Sequence, residues 1–213
     1  MDATDELTVF VVDDDEGVRT TLALLLQTAE LTVRCHASAE AFLRDCGPDP
    51  AGCLILDMRM TGMSGSQLQE ELGRRGIDIP ILFLTGWADM PAAIDAIKRG
   101  AVNFLAKPVP GAVLLEQVQE ALRLQTQRRE TRQAQRQFRD RLQRLTPRQR
   151  QILALSVSGM SNKTAAAELG VSVRTIEGYR EMIYLKTGFR SVLELMNEAA
   201  RVGIQPGAII SSE

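Results

Sequence analysis

Short apolar runs alternate with amphipathic segments over the first 122 residues, and this alternation restricts the fold more than any other feature. Five strand-like runs can be distinguished, each followed by a stretch whose apolar residues recur at helical spacing. Short apolar strands separated by helices predict a parallel sheet covered by helices on both faces. We therefore predict a five-stranded, doubly wound α/β domain with a parallel sheet over residues 1–122. Ligands of such sheets bind beyond the carboxyl ends of the strands.

A long helix is predicted to follow this domain. Residues 123–143 are rich in Arg and Gln and are expected to form a helical linker. Ala134, Phe138, Leu142 and Leu145 give the end of this linker a narrow apolar stripe. The stripe leaves self-association open, although a sustained heptad pattern is absent.

Four short helices are predicted in the last segment, residues 144–213, which is expected to be a small all-α domain. Thr146, Pro147 and Gln149 form a capping-box pattern with proline at the first helical position. Gly159 and Gly170 are expected to end the first two helices. The positions expected to be buried are Ile152, Leu155, Ala165, Ala166, Leu169, Val171, Ile176, Met182, Ile183, Val192 and Leu195.

The charge is distributed unevenly along the chain. Residues 1–122 contain 9 Lys and Arg against 19 Asp and Glu, a net charge of −10. Residues 123–213 contain 16 basic against 8 acidic residues, a net charge of +8. An acidic half joined to a basic half suggests two domains, with nucleic acid as a partner of the second. Residues 146–213 carry a net charge of only +2, so most of the positive charge lies in the predicted linker.

The sequence predicts a cytoplasmic protein with no membrane segment. It contains no run of about 18 apolar residues, and its first residues are acidic, whereas a signal peptide begins with a basic segment. Its three cysteines lack the C-x-x-C spacing of zinc sites, and we expect them to be reduced thiols.

Side chains suited to phosphate and metal chemistry follow four of the predicted strands. Asp13 and Asp14 follow the first strand and Asp57 ends the third, while Thr85 ends the fourth and Lys107 follows the fifth. Because the carboxyl ends of parallel strands meet at one edge, these side chains are expected to lie together. Three clustered carboxylates repel one another unless a divalent cation lies between them, and oxygen ligands suit Mg²⁺. The cation, Lys107 and the Thr85 hydroxyl could stabilise a phosphoryl group on Asp57.

The segments around these residues closely resemble the receiver domain of bacterial two-component response regulators. The resemblance covers roughly residues 6–122 and depends on Val12-Asp13-Asp14-Asp15, Leu56-Asp57-Met58-Arg59-Met60, Thr85-Gly86 and Lys107-Pro108. It implies that Asp57 accepts a phosphoryl group from a sensor histidine kinase. The Mg²⁺ ligands that it implies are Asp13, Asp14, Asp57 and the backbone carbonyl of Arg59. It further implies that Thr85 and Phe104 are switch residues, that Lys107 binds phosphate, and that the bond before Pro108 is cis.

One position departs from the receiver pattern, and two others bear on the lifetime of the phosphoryl group. Thr61 stands where the family usually has proline, which frees φ and predicts a less rigid loop after Asp57. Arg59 and Trp87 each lie two residues past a pocket residue. Both side chains are large enough to obstruct an attacking water, so we predict slow self-dephosphorylation.

The last segment resembles the LuxR-type helix-turn-helix of the NarL/FixJ response regulators over residues 144–203. The resemblance depends on Leu145-Thr146-Pro147-Arg148-Gln149, Gly159-Met160-Ser161-Asn162-Lys163 and Leu169-Gly170-Val171-Ser172-Val173-Arg174. It implies that a recognition helix enters the major groove of DNA. The DNA contacts that we expect are Asn162, Lys163, Arg174, Thr175, Arg180 and Lys186.

The expected reading surface of the recognition helix is unusual. Gly178-Tyr179 stands where the family commonly has Val-His, and acidic Glu177 and Glu181 flank the surface that should face the groove. Glutamate can accept a hydrogen bond from cytosine N4, so these acids are compatible with base reading.

The combined resemblance predicts a phosphorylation-controlled transcriptional regulator. Phosphorylation of Asp57 would draw Thr85 toward the phosphoryl group and let Phe104 move inward. The surface around the fourth helix, fifth strand and fifth helix, which dimerises in related proteins, would then form a homodimer on paired DNA half-sites. The predicted catalysis is limited to Mg²⁺-dependent self-phosphorylation and dephosphorylation at Asp57.

Two other functions are compatible with parts of the sequence. Haloacid-dehalogenase-like phosphatases also combine an Asp nucleophile with Thr or Ser, Lys and Mg²⁺. Their nucleophile ends the first strand in an Asp-x-Asp pattern, whereas Asp57 ends the third strand here. A phosphorylation-sensitive protein-interaction module with weak or no DNA binding is the second alternative, and Glu177, Gly178 and Glu181 leave it open.

Overall fold

The computed structural model describes residues 7–86 and 90–210, and the chain divides into two compact units after Arg128. The elements of the first unit are β1 (Thr8–Val12), α1 (Glu16–Thr28), β2 (Thr32–His36), α2 (Ala39–Asp45), β3 (Gly52–Asp57), α3 (Gly65–Arg74), β4 (Ile81–Thr85), α4 (Met90–Lys98), β5 (Asn103–Ala106) and the first part of α5 (Gly111–Gln143). Their order confirms the predicted alternation of strands and helices.

The five strands form one parallel sheet in the order β2-β1-β3-β4-β5, as expected for a doubly wound fold. Alternate residues of the central strands point to opposite faces. Phe10, Leu56 and Phe83 belong to the core on one face, whereas Val9 and Ile55 belong to the core on the other. Both faces of the sheet are therefore buried under helices, which explains why these strands are almost entirely apolar.

The strand register brings the carboxyl ends of the strands to a common level. Val12 at the end of β1 pairs with Leu56 in β3, and Thr85 at the end of β4 pairs with Ala106 in β5. The residues that come next on these strands therefore lie along one edge of the sheet.

The elements of the second unit are the end of α5 followed by α6 (Pro147–Val157), α7 (Asn162–Leu169), α8 (Val173–Thr187), α9 (Val192–Arg201) and α10 (Pro206–Ile210). The capping box of Thr146 and Gln149 at the start of α6 is present as predicted. The short helix α10 was not predicted. Its Ile209 is 4% exposed and completes the core of this unit, which the five-residue length of the helix made hard to foresee.

The predicted linker, residues 123–143, lies inside the continuous helix α5. The apolar stripe near its end packs into the core of the second unit, where Phe138 is 2% exposed. Its ring lies 5.7 Å from that of Phe189, and the Arg141 guanidinium lies 5.4 Å from the Phe189 ring centre. The apolar stripe that could have served for self-association is thus covered inside the second unit.

Met182 was predicted to be buried, and this prediction is wrong. Its exposed fraction is 45%, whereas that of the neighbouring Ile183 is 1%. Adjacent residues of a helix point about 100° apart, so the face that buries Ile176 and Ile183 turns Met182 outward.

Among the described residues, we find no helix with both the length and the apolar character needed to cross a membrane. The longest helix, α5, has 33 residues but is rich in arginine.

His36, the only histidine of the chain, ends β2 in an aromatic environment. Its ring meets that of Phe42 edge-on at 5.4 Å and stacks with that of Phe10 at 6.4 Å. Burial lowers the pKa of His36, although the charge of Asp45, whose Oδ2 lies 3.5 Å from Nδ1, opposes this.

The lowered pKa of His36 predicts that the folded protein is destabilised by acid. Because the native state disfavours the protonated ring, the free energy of unfolding should fall as the pH drops below 6.5, the ordinary pKa, until it passes the lower pKa of the folded state. Urea titrations of wild type and His36→Phe on both sides of that pH measure this loss. The variant, which cannot be protonated there, should lose less stability on acidification; equal losses would contradict the assignment.

Candidate functional site

Lys107 bridges two carboxylates at the carboxyl edge of the sheet. Its Nζ lies 2.9 Å from Asp13 Oδ2 and 3.0 Å from Asp57 Oδ1. The Asp13 side chain is 2% exposed and that of Asp57 13% exposed. Because Asp13 follows β1, Asp57 ends β3 and Lys107 follows β5, the predicted convergence of these residues is present in the structure.

Burial and charge act in opposite directions in this pocket. Burial raises the pKa of Asp57, the hydrogen bond and charge of Lys107 oppose the rise, and the charge of Asp13 adds to it. Burial alone would lower the pKa of Lys107, but its hydrogen bonds to the two carboxylates together with their negative charges outweigh burial and raise the pKa. The ammonium group is therefore held in its charged form beside Asp57.

Asp14 completes a cluster that could hold a metal ion. Asp13, Asp14 and Asp57 each offer one oxygen, and these oxygens lie within 4.8 Å of one another. With one ammonium among three carboxylates, two negative charges lack compensation when all three are ionised. An all-oxygen donor set with that charge fits a hard divalent cation.

The first loop of the site is fixed by its own backbone and by α1. The Asp15 N–H donates to Asp13 Oδ1 at 2.9 Å, and Arg19 Nη1 donates to the Asp13 carbonyl at 2.8 Å. The Asp15 carboxylate in turn caps α1 by accepting from the N–H groups of Gly17 and Val18. Sequence reasoning missed this support, although an acid one residue before a helix is a capping signal.

Thr61 connects the second loop to the first. Its N–H and its hydroxyl both donate to Asp14 Oδ2, at 2.7 and 2.8 Å. These two hydrogen bonds, led by the one from the N–H, lower the pKa of Asp14. The sequence predicted a looser loop without proline, but proline could donate neither bond, so the loop gains a connection that the ring would not provide.

The remaining receiver residues lie around this cluster. Thr85 is fully buried, and its hydroxyl donates to the Gly86 carbonyl at 3.1 Å. Phe104 in β5 is partly buried against the core, and the Lys107-Pro108 bond is cis, as the resemblance implied. Arg59 lies in the loop after β3 with an exposed side chain. Trp87, on which half of the prediction of slow dephosphorylation rests, lies outside the described residues.

Gly65 supports Asp57 in a way that the sequence did not reveal. A Cβ placed on Gly65, the first residue of α3, would lie 2.3 Å from the Asp57 carbonyl oxygen and 3.1 Å from Cε1 of Phe83. Only glycine therefore allows the start of α3 to approach the end of β3 this closely.

The six residues predicted to contact DNA divide into two groups in the second unit. Lys163 at the start of α7 and Arg174 and Thr175 at the start of α8 are exposed. The Thr175 hydroxyl also pairs with that of Ser172, the residue that caps α8. These three side chains lie on the surface near two helix N-termini, where phosphate groups can bind.

The other three residues connect helices of the second unit. Arg180 in α8 donates to Asn162 Oδ1 in α7 at 2.5 Å, and it also contacts the Tyr184 hydroxyl. Lys186 donates to Gln149 Oε1 in the capping box of α6 at 3.0 Å. Each of these side chains thus already has a structural role within the helical unit.

After Arg174 in its first turn, the exposed residues of α8 carry no positive charge. Glu177 and Glu181 are exposed and have no ion pair within the described parts of the chain. Met182 and Leu185 are exposed as well, at 45% and 76%. Gly178 is exposed on the same helix, and an added Cβ there would meet nothing within 4 Å. Packing inside the unit therefore gives no reason for glycine at this position.

Family comparisons match the two units separately. Residues 9–119 match the response regulator receiver domain, and residues 143–199 match the luxR family of bacterial regulatory proteins. Together the two matches cover most of the chain.

Similarity to individual proteins extends over nearly the full length. The transcriptional regulatory protein FixJ of Azorhizobium caulinodans is 39% identical over 95% of this chain and 96% of its own length. The solved structure of the response regulator StyR has a TM-score of 0.81 and 40% identity, covering 92% of this chain and 99% of that one. Full-length FixJ from B. japonicum has a TM-score of 0.58 and 34% identity, covering 94% and 98%.

The contact of Gly65 with Asp57 predicts a destabilising effect of a single methyl group. Gly65→Ala should lower the free energy of unfolding by about 1–3 kcal/mol, because the methyl group collides with backbone that cannot yield without moving Asp57. Gly73→Ala in the same helix is the matched control. A Cβ there would meet nothing within 4 Å, so the free energy of unfolding of this variant should rise by about 0.5–1 kcal/mol. Urea unfolding of both variants tests this role of Gly65. A Gly65→Ala variant with the same free energy of unfolding as wild type would contradict it.

Proposed function

Because this chain belongs to the response regulators that join a receiver domain to a luxR-family DNA-binding domain, we propose that phosphorylation of Asp57 controls its binding to DNA. The chain is a phosphorylation-controlled transcriptional regulator and not a catalytic enzyme as such. The observation that carries the choice of Asp57 is the Lys107 ammonium group, 3.0 Å from its carboxylate at the aligned ends of the strands.

In the proposed reaction, an Asp57 carboxylate oxygen attacks the phosphorus of a phosphohistidine on a sensor histidine kinase. An O–P bond forms as the P–N bond breaks, and the electron pair stays on the imidazole nitrogen of the kinase. The Lys107 ammonium is placed to stabilise the phosphoryl oxygens, because it already donates to the attacking carboxylate. Such transfer depends mainly on positioning and electrostatics, which this fixed arrangement supplies.

We propose Mg²⁺ as the cofactor, held by Asp13, Asp14, Asp57 and the backbone carbonyl of Arg59. When bound, the cation neutralises charge on the phosphoryl oxygens. The clustering of three carboxylates around a single ammonium group supports this choice.

The switch is proposed to act through Thr85 and Phe104. The Thr85 hydroxyl, which here donates to Gly86, would turn to a phosphoryl oxygen on Asp57. The partly buried Phe104 ring could then move inward and change the surface of α4, β5 and α5. We propose that this population shift produces a homodimer, which places two DNA-binding units on paired half-sites.

The charge of the second unit supports DNA as its ligand. Residues 129–213 contain 14 basic and 8 acidic residues, a net charge of +6, because the arginine-rich end of α5 belongs to this unit. We propose that Lys163, Arg174 and Thr175 contact DNA directly. Asn162, Arg180 and Lys186 are proposed to contact DNA from positions that their hydrogen bonds already fix. Binding should weaken as salt concentration rises.

Replacing the proposed phosphoacceptor should abolish the response to phosphorylation. Full-length Asp57→Asn, incubated with a small acyl phosphate and Mg²⁺, should gain no phosphoryl group in intact-mass spectra, whereas wild type gains one. Sedimentation and gel shifts on DNA selected by the phosphorylated wild type should show loss of the induced dimer and of the induced affinity.

The matched control is Asp95→Asn, which removes an exposed carboxylate of α4 that pairs only with Lys98 among the described residues. This variant should be phosphorylated like wild type. Phosphorylation of Asp57→Asn, or its absence from wild type, would refute the choice of Asp57.

Gly178 predicts opposite effects on folding and on DNA binding. Gly178→Ala should raise the free energy of unfolding by about 0.5–1 kcal/mol, because alanine favours the helix and its Cβ meets nothing in the unit. The same methyl group should weaken binding to the selected DNA, since it occupies the exposed face of α8. Gly73→Ala, equally free of contacts in α3, should stabilise the protein and leave DNA binding unchanged. Unaltered binding by Gly178→Ala would place α8 away from the bases.

A further inference from the structure

The contact between Thr61 and Asp14 joins two loops of the cation site through a single oxygen atom. Residues 61 and 14 are 47 positions apart in the chain, and both are exposed at the surface. Thr61 N–H and Thr61 Oγ1 lie 2.7 and 2.8 Å from the same atom, Asp14 Oδ2. Both bonds therefore hold the carboxylate in one orientation.

The number of hydrogen bonds that a carboxylate oxygen can accept determines which oxygen of Asp14 is left to bind a cation. Each carboxylate oxygen has roughly two acceptor sites, and the two donors of Thr61 occupy those of Oδ2. No hydrogen bond from another described residue ends on the other oxygen, Oδ1. Asp14 offers one oxygen to the cluster of carboxylate oxygens that lie within 4.8 Å of one another. Because the acceptor sites of Oδ2 are taken by Thr61, Oδ1 is the oxygen that remains for a cation.

We propose that Thr61 is a positioning residue for the divalent cation site, holding Asp14 through Oδ2 so that Oδ1 is ready to bind the metal. This inference rests on the proposed function, because it requires that the pocket bind a divalent cation. An exposed aspartate that moves freely would lose side-chain entropy when the cation binds, and Thr61 removes that loss beforehand. The bond from Thr61 persists when the cation is bound.

The hydroxyl and the N–H of Thr61 can be removed separately. Thr61→Ser keeps both donors, Thr61→Val keeps the N–H and the shape of the side chain, and Thr61→Pro removes both donors. We expect the Mg²⁺ dissociation constant to be unchanged in the serine variant. It should rise roughly two- to tenfold in the valine variant, which corresponds to about one immobilised side chain, and should rise further in the proline variant.

The measurement uses full-length unphosphorylated protein, with Mn²⁺ as an electron paramagnetic resonance probe that Mg²⁺ displaces. Thr28→Val is the matched control, because the exposed Thr28 hydroxyl donates to the Leu24 carbonyl of α1 and takes no part in the cluster. Its Mg²⁺ affinity should equal that of wild type. If Thr61→Pro disturbs the loop, the comparison of Thr61→Ser with Thr61→Val still tests the role of the hydroxyl in Mg²⁺ binding.

A second measurement distinguishes a residue that positions Asp14 for the cation from one that competes with the cation for Asp14. In a ¹⁵N-labelled sample, the Thr61 amide should resonate at low field without Mg²⁺ and should stay there at saturation, since its bond to Oδ2 persists. The proposal would be overturned if Thr61→Val bound Mg²⁺ as tightly as wild type, or more tightly. Loss of the low-field signal of the Thr61 amide on addition of Mg²⁺ would also overturn it. Wild type that binds no divalent cation would refute both this proposal and the proposed cofactor, whereas failure of the valine variant alone refutes only the role of Thr61.

Discussion

The Lys107 ammonium group lies between the carboxylates of Asp13 and Asp57, and the arrangement of the first unit depends on this interaction. Two largely buried carboxylates from adjacent strands would otherwise repel each other in a region of low dielectric constant. The parallel register aligns the ends of β1 and β3, so the backbone positions from which these two acids project are set by the sheet. The lysine that follows β5 must therefore cross the edge of the sheet to reach them. The same alignment leaves the charge deficit that suits a divalent cation.

The loops around this pocket are held by contacts that surround it. Asp15 caps α1 while its own N–H holds Asp13, so one residue both starts a helix and orients an acid. Gly65 lets α3 begin against the carbonyl of Asp57, and Thr61 ties the intervening loop to Asp14. The site is thus built from short connections between strand ends and helix starts, as is typical of ligand sites in parallel α/β sheets.

The second unit differs in charge between the arginine-rich end of α5 and the exposed residues of α8. Its core includes Phe138 and Leu142 from the end of α5, so the arginines of that helical segment belong to the DNA-binding unit. The exposed residues of α8 after Arg174 and Thr175 are acidic or apolar instead. Under the proposed function, the arginines of α5 would add attraction to the DNA backbone to the contacts from α7 and α8, since phosphate contacts position a protein and base contacts specify the sequence.

The sequence by itself determined the alternation of strands and helices, the acids and lysine at strand ends, and the capping box of α6, because each of these follows from local periodicity or spacing. It failed where the answer depended on which side chain from a distant segment packs or forms a hydrogen bond at a given position. No local pattern could tell that the apolar stripe at Phe138 is covered by its own unit. The loop after β3 was predicted to loosen at Thr61, yet a carboxylate 47 residues away holds it. Only the tertiary structure decided these points, because burial and hydrogen-bond partners are set by elements that the chain brings together from far apart.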